Sequence, residues 1–203
     1  MKIIIRSANA RMKHRVRRPF VARCLSVLTA LASMSIGLTV RTSPASAATT
    51  GLGAVWGGTL NGTDAYLSIA SNGKEILAYV CDGQTLAQWF KAKRGDRGMN
   101  LTKGTLDVTA KDVHLVAKLG IRGGSGTVTL ADGTRHAFSI ARLSGDAGLY
   151  RSEETIDGVK TVGGWIVLAD GRLRGGLLPS VGTFQGLTAL RTTARLMGPD
   201  LPY

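Results

Sequence analysis

Thr105-Leu106-Asp107-Val108-Thr109-Ala110, followed two residues later by Val113-His114-Leu115-Val116-Ala117-Lys118-Leu119, decides the fold class. Apolar and polar residues alternate through both runs, Val116 being the one break in phase. Period two is the side-chain spacing of a half-buried β-strand. Thr127-Val128-Thr129-Leu130 continues the pattern with β-branched residues on both faces. Working outward, Asn61-Gly62, Asn72-Gly73, Asp82-Gly83, Asp132-Gly133, Asp157-Gly158 and Asp170-Gly171 stand between apolar runs. Each pair is expected to supply the positive φ angles of a tight primed turn. Strands are therefore predicted near 54–60, 64–71, 74–82, 86–92, 104–110, 113–120, 125–131, 134–143, 147–155, 160–169 and 172–178. With one apolar face per strand, they predict an all-β domain over 48–180, a single antiparallel barrel or sandwich of about 8–11 short strands. Closure into a barrel would remove unprotected edges.

Residues 181–203 read as a last strand or a loose tail. Leu187, Leu190, Ala194 and Met197 fall at helical spacing, but Gly186 and nearby threonines oppose a helix. Asn61–Ala70 lies over Asp132–Ala141 without gaps, and the same offset puts Tyr79 over Tyr150. That echo fits either a duplicated half-domain or two hairpins obeying the same turn chemistry.

The first 47 residues predict a cleavable signal peptide. Met1–Arg23 is a basic n-region, Cys24–Val40 a short apolar stretch diluted by Ser, Thr and Gly, and Ala45-Ser46-Ala47 a small-residue cleavage site. Cleavage is expected between Ala47 and Ala48, leaving no membrane span; an uncleaved anchor is the alternative. Arg17-Arg18-Pro19-Phe20-Val21 and Arg41 suit the twin-arginine route, with general secretion as the other. Arg23 before Cys24 argues against a lipoprotein.

The signal also explains the charge. The chain carries 26 basic and 13 acidic residues, a net of +13, and nine of the basic groups fall in residues 1–47 with no acidic one. What remains is 17 against 13, a net of +4, which is a weak attraction for phosphate and disfavours nucleic acid. Lys91, Lys93, Arg94 and Arg97 do cluster, around Asp96, in what reads as a basic loop able to touch an anionic polymer. Cys81 is the one cysteine left after Cys24, so no intrachain disulfide is expected.

No assembled catalytic set is visible. His114 is out of phase with Val113, Leu115 and Leu119 and should face solvent, whereas His136 is in phase with Phe138 and Ile140. A Cys81–His136 dyad is the sharpest nucleophilic hypothesis, but nothing local lowers the thiol pKa. Glu153 and Glu154, adjacent on a strand, should point to opposite faces. No metal-ligand spacing, nucleophile elbow or phosphate loop occurs, and no cofactor is expected.

Trp56, Trp89, Trp165, Tyr79 and Tyr150 lie in or beside strands and are the candidate ligand-binding residues, able to line a pocket mouth or to fill the core. Tyr79-Val80-Cys81-Asp82-Gly83 with Trp89, Gly126-Thr127-Val128-Thr129-Leu130, Asp132-Gly133 and Phe138 form an ordered set. Gly148-Leu149-Tyr150-Arg151 and Gly164-Trp165-Ile166-Val167-Leu168-Ala169-Asp170-Gly171 continue it. Over residues 54–178 the chain resembles a family of exported, β-rich proteins of actinobacteria. The basic n-region is outside that pattern. The resemblance implies a secreted or cell-envelope location and brings no activity or catalytic residue with it. Gly53-Ala54-Val55-Trp56 also resembles the first strand of lipocalin and avidin barrels, a likeness confined to those residues.

The expected function is a non-enzymatic binding or interaction module, with a small molecule, a cell-wall component or an envelope protein as partner. The alternatives are an extracellular hydrolase using Cys81 or a serine with His136, and a structural envelope protein that self-associates.

Overall fold

The computed structural model describes residues 53–100 and 102–198; the expected signal peptide and the Ala47–Ala48 cleavage point lie outside them. The described residues form strands, turns and loops with no helix. Nine strands make one antiparallel sheet: β1 (Gly53–Leu60), β2 (Tyr66–Asn72), β3 (Glu75–Cys81), β4 (Ala87–Lys93), β5 (Met99–Asn100), β6 (Thr105–Ala110), β7 (Val113–Leu119), β8 (Gly123–Thr129) and β9 (Arg135–Arg142). Their order is β4-β3-β2-β1-β9-β8-β7-β6-β5, and β4 comes back into contact with β6, so the sheet curls into a nearly closed barrel.

A second sheet of β10 (Gly148–Ile156), β11 (Val159–Val167), β12 (Leu173–Pro179), β13 (Gln185–Gly186) and β14 (Arg195–Met197) has the order β13-β12-β11-β10-β14. It packs on the outside of β1–β4. Barrel and sandwich, the two expected architectures, are thus combined. The strand count exceeds the expected range because β5, β13 and β14 are two or three residues long.

Two apolar layers result. Trp56, Leu67, Ile69, Phe90, Leu115 and Phe138, with their neighbours, fill the barrel interior. Val55, Tyr66, Leu77, Tyr79 and Cys81 point outward from the barrel and meet Leu149, Ile166, Leu168 and Met197 of the second sheet. Strands β2 and β3 are consequently buried on both faces, which corrects the expectation of one apolar face per strand. The near-continuous apolar run of β3 is the sequence mark of a doubly covered strand. Strands β6 and β7 keep the simple alternation because no other described strand covers their outer face.

The turns also differ from expectation in kind. All six Asn-Gly and Asp-Gly glycines have positive φ, but of their partners only Asp157 does. Asp157-Gly158 is thus the one pair with both angles positive, a two-residue hairpin between Ile156 and Val159. At Asn72, Asp82, Asp132 and Asp170 the side-chain oxygen accepts a backbone N–H two residues on, as Asp132 does from Thr134 (2.9 Å) and Asp170 from Arg172 (3.1 Å). That side-chain bond shapes the loop with a negative φ.

Lys111 in the β6–β7 turn has φ 51°, a left-handed conformation on a residue with a Cβ. Lys111→Gly is expected to stabilise the protein by about 0.5–1 kcal/mol, read as a raised denaturation midpoint.

The internal echo places β2 and β9 on either side of β1. It stops there. Strand β3 pairs with β2, whereas β10, which carries Tyr150, leaves for the second sheet.

Candidate functional site

Most of the candidate aromatic residues are spent on packing. Trp56 is fully buried inside the barrel, and its Nε1 donates to Gly120 O at 3.0 Å. Tyr79 and Trp89 stack between the sheets with centroids 4.3 Å apart, and the Arg151 guanidinium lies 5.5 Å from the Trp89 ring centre. Trp165 is fully buried on the other face of the second sheet, over Gly163 and Gly175. The chain between β13 and β14 joins opposite edges of that sheet and must cross this face. Arg191 and Thr193 fasten it there to Glu154. Tyr150 is half-buried, its hydroxyl donating to Asp146 O at 2.8 Å.

The nucleophile candidates are not brought together. Cys81 faces the inter-sheet layer, where its Sγ accepts the Gly83 N–H at 3.2 Å. Burial pushes the thiol pKa up, which disfavours the thiolate. His136 is half-buried and in the inward phase of β9, with Nδ1 3.1 Å from Asn61 O. The two residues therefore lie on different faces of the sheet. His114 lies on the outer face and pairs with Asp107 at 2.7 Å. Glu153 pairs with Arg151 and Glu154 with Arg191, on opposite faces of β10. Among the described residues no three His, Cys, Asp or Glu side chains gather as a metal site.

What the fold does assemble is one open end of the barrel. The alternating strand directions place the β1–β2, β3–β4, β6–β7 and β8–β9 turns at the same end, the β4–β5 and β5–β6 connections both falling at the other. Between them lies a cavity of about 500 Å³. Its floor is apolar: Leu60, Ala65 and Val113 are buried, and Leu86 and Leu130 are partly buried lips over the filled interior. Its rim carries the carboxylates of Asp64, Asp82 and Asp132, with Thr63, Gln84 and Thr85 between them.

The rim is rigid and anionic. Partial burial of Asp82 works to raise its pKa, but the amides of Gln84, Leu86 and Thr85, bonded at 2.7–2.9 Å, outweigh it. The carboxyl is held below the usual range. Asp132 is held down by the Thr134 hydroxyl (2.6 Å) and then by the Thr134 amide. Asp64 lies 3.3 Å from Arg174, which also covers the Tyr66 ring. Asp82 and Asp132 have no ion-pair partner among the described residues, so both present negative charge to the cavity at neutral pH.

Asp82 ties this end together. Asp82→Ala removes the acceptor of three loop amides and is expected to cost about 2 kcal/mol, measured by urea unfolding. Asp82→Asn keeps Oδ1 and should cost much less. Because the folded carboxyl sits below its unfolded value, its contribution is complete above the unfolded pKa and is lost as pH falls through the folded one. The wild-type midpoint should drop on acidification, and part of that drop should vanish in Asp82→Asn.

Comparisons of the chain with protein-family models, with curated proteins and with solved structures found no match.

Proposed function

We propose that the chain is an exported, non-enzymatic binding module whose site is the open mouth of the barrel. Its ligand is an amphiphile with a cationic head and a short apolar tail. One observation carries this reading: apolar lips and three carboxylates share one cavity of about 500 Å³, within the size range of small-molecule sites. The tail would lie over Leu86, Val113 and Leu130, and the head would meet Asp82 and Asp132. Filling of the interior by Trp56 and Phe138 confines the ligand to the mouth, so long chains gain nothing beyond the lips. Export and an envelope or extracellular location belong to the same proposal, supported by the character of residues 1–47.

Calorimetric titration with octylammonium, octanoate and octyl glucoside, each below its micellar concentration, tests it. Octylammonium should bind and octanoate should not. Asp82→Asn combined with Asp132→Asn should weaken the amine by roughly tenfold or more, since each nearby charge contributes on the order of 1 kcal/mol. Equal binding of all three probes, or none, would overturn the proposal.

A further inference from the structure

The end of the barrel opposite the mouth has the reverse chemistry. The β2–β3, β4–β5, β5–β6 and β7–β8 turns gather there, and they carry Lys74, Lys93, Arg94, Arg97, Lys103 and Arg122. Two acids at this end are already engaged: Glu75 pairs with Lys93 at 3.3 Å, and Asp96 accepts the Lys93 amide at 2.7 Å. Asp146, on the β9–β10 link, keeps an exposed carboxylate, one acid against six bases at these turns. Arg94, Arg97, Lys103 and Arg122 are exposed and have no carboxylate partner among the described residues.

An apolar tip stands among these charges. Ile121, at the head of the β7–β8 turn, is 72% exposed, the second most exposed large hydrophobic residue described after Val181. Arg122 follows it, and Arg142 Nη1 reaches its carbonyl at 3.5 Å. Gly53, the first described residue, also lies at this end.

From this juxtaposition we infer that the basic end of the barrel docks on an anionic lipid bilayer. Several cations at the same barrel end as a protruding aliphatic side chain match phosphate headgroups above an acyl region, the pairing that interfacial binding needs. A soluble polyanion would use the charges and leave Ile121 idle. With this end down, the acidic mouth points away from the bilayer and stays open to solvent. The inference stands apart from the choice of mouth ligand, because the two sites share no residue.

The test is co-sedimentation of the full chain with vesicles of phosphatidylcholine alone and of phosphatidylcholine containing phosphatidylglycerol. Residues 1–52 are common to every variant, so differences report on the barrel. Binding is expected with the anionic vesicles and should fall steeply with salt. Arg94→Glu, Arg97→Glu and Arg122→Glu together should weaken it by about a hundredfold or more, at about fivefold per surface charge lost. Ile121→Ser should weaken it by about tenfold even at low salt. Lys160→Glu with Arg195→Glu, on the second sheet, should leave it unchanged, with far-UV circular dichroism confirming that all variants fold. Wild-type binding by the triple variant would overturn the inference. So would an Ile121→Ser variant that binds vesicles as the parent does while soluble polyphosphate displaces both, since the partner would then be a polyanion.

Discussion

Trp56→Ala should take away a large part of the protein's net stability. The indole is fully buried in the barrel, and removing a buried Trp costs about 3–5 kcal/mol in lost transfer energy and cavity. A single domain has only about 5–15 kcal/mol of net stability to lose. Trp56 sits on β1, an interior strand between β2 and β9, so no edge can relax inward to fill the void. The Gly120 carbonyl would also lose its indole donor. Urea unfolding, with the variant read at low temperature if needed, measures the effect. A loss below about 1 kcal/mol would mean that the interior is not filled, and a deep ligand pocket would return as an option.

Gly164→Val is the second large effect, and it probes the other layer. A Cβ at Gly164 would stand 2.6 Å from Trp89 Cζ2 and 2.7 Å from Tyr79 Cζ. Those rings are stacked between the sheets, so neither can swing away without breaking the stack. Overpacking of this kind costs about 1–3 kcal/mol, and a β-branched side chain should reach the upper end. Combining it with Trp89→Leu should recover part of the loss, a coupling that a double-mutant cycle reads directly. Simple additivity would show that β11 does not pack on β3 and β4.

Much of this architecture was legible in the residues. Each of the eleven predicted strands overlaps an observed one, because period-two alternation and Gly-bearing turns are local signals. The second layer was missed because burial on both faces of β2 and β3 depends on what packs outside the barrel. The run Glu75–Cys81 hinted at it, having almost no polar side chain. Strands β13 and β14 were blurred by Gly186 and the threonines, and β14 is held by β10, a partner distant in sequence. The aromatic residues drew attention for their rarity, but a strand's inward face is also where large rings pack.

The mouth was legible only in part. Asp82 and Asp132 are turn formers by their Asp-Gly pairs, but where their turns meet is not a local signal. In an up-and-down sheet alternate turns share an end. Here the β4–β5 and β5–β6 connections fall at the same end, so the first, third, sixth and eighth turns carry Asp64, Asp82, Asp112 and Asp132, while the others carry Lys74, Arg94, Lys103 and Arg122. Acidic turns thus gather mainly at one end of the barrel and basic turns mainly at the other. What the sequence alone could not supply is the curl of the sheet that brings β4 back to β6 and so makes the turns a rim.

The most direct measurement is a backbone amide NMR titration of the protein with octylammonium. Shifts concentrated at Thr63, Gln84, Thr85, Leu86 and Leu130, and diminished in Asp82→Asn, are the expected result. Shifts centred instead around Tyr79, Trp89 and Gly164, or spread evenly over the surface, would contradict a ligand site at the mouth.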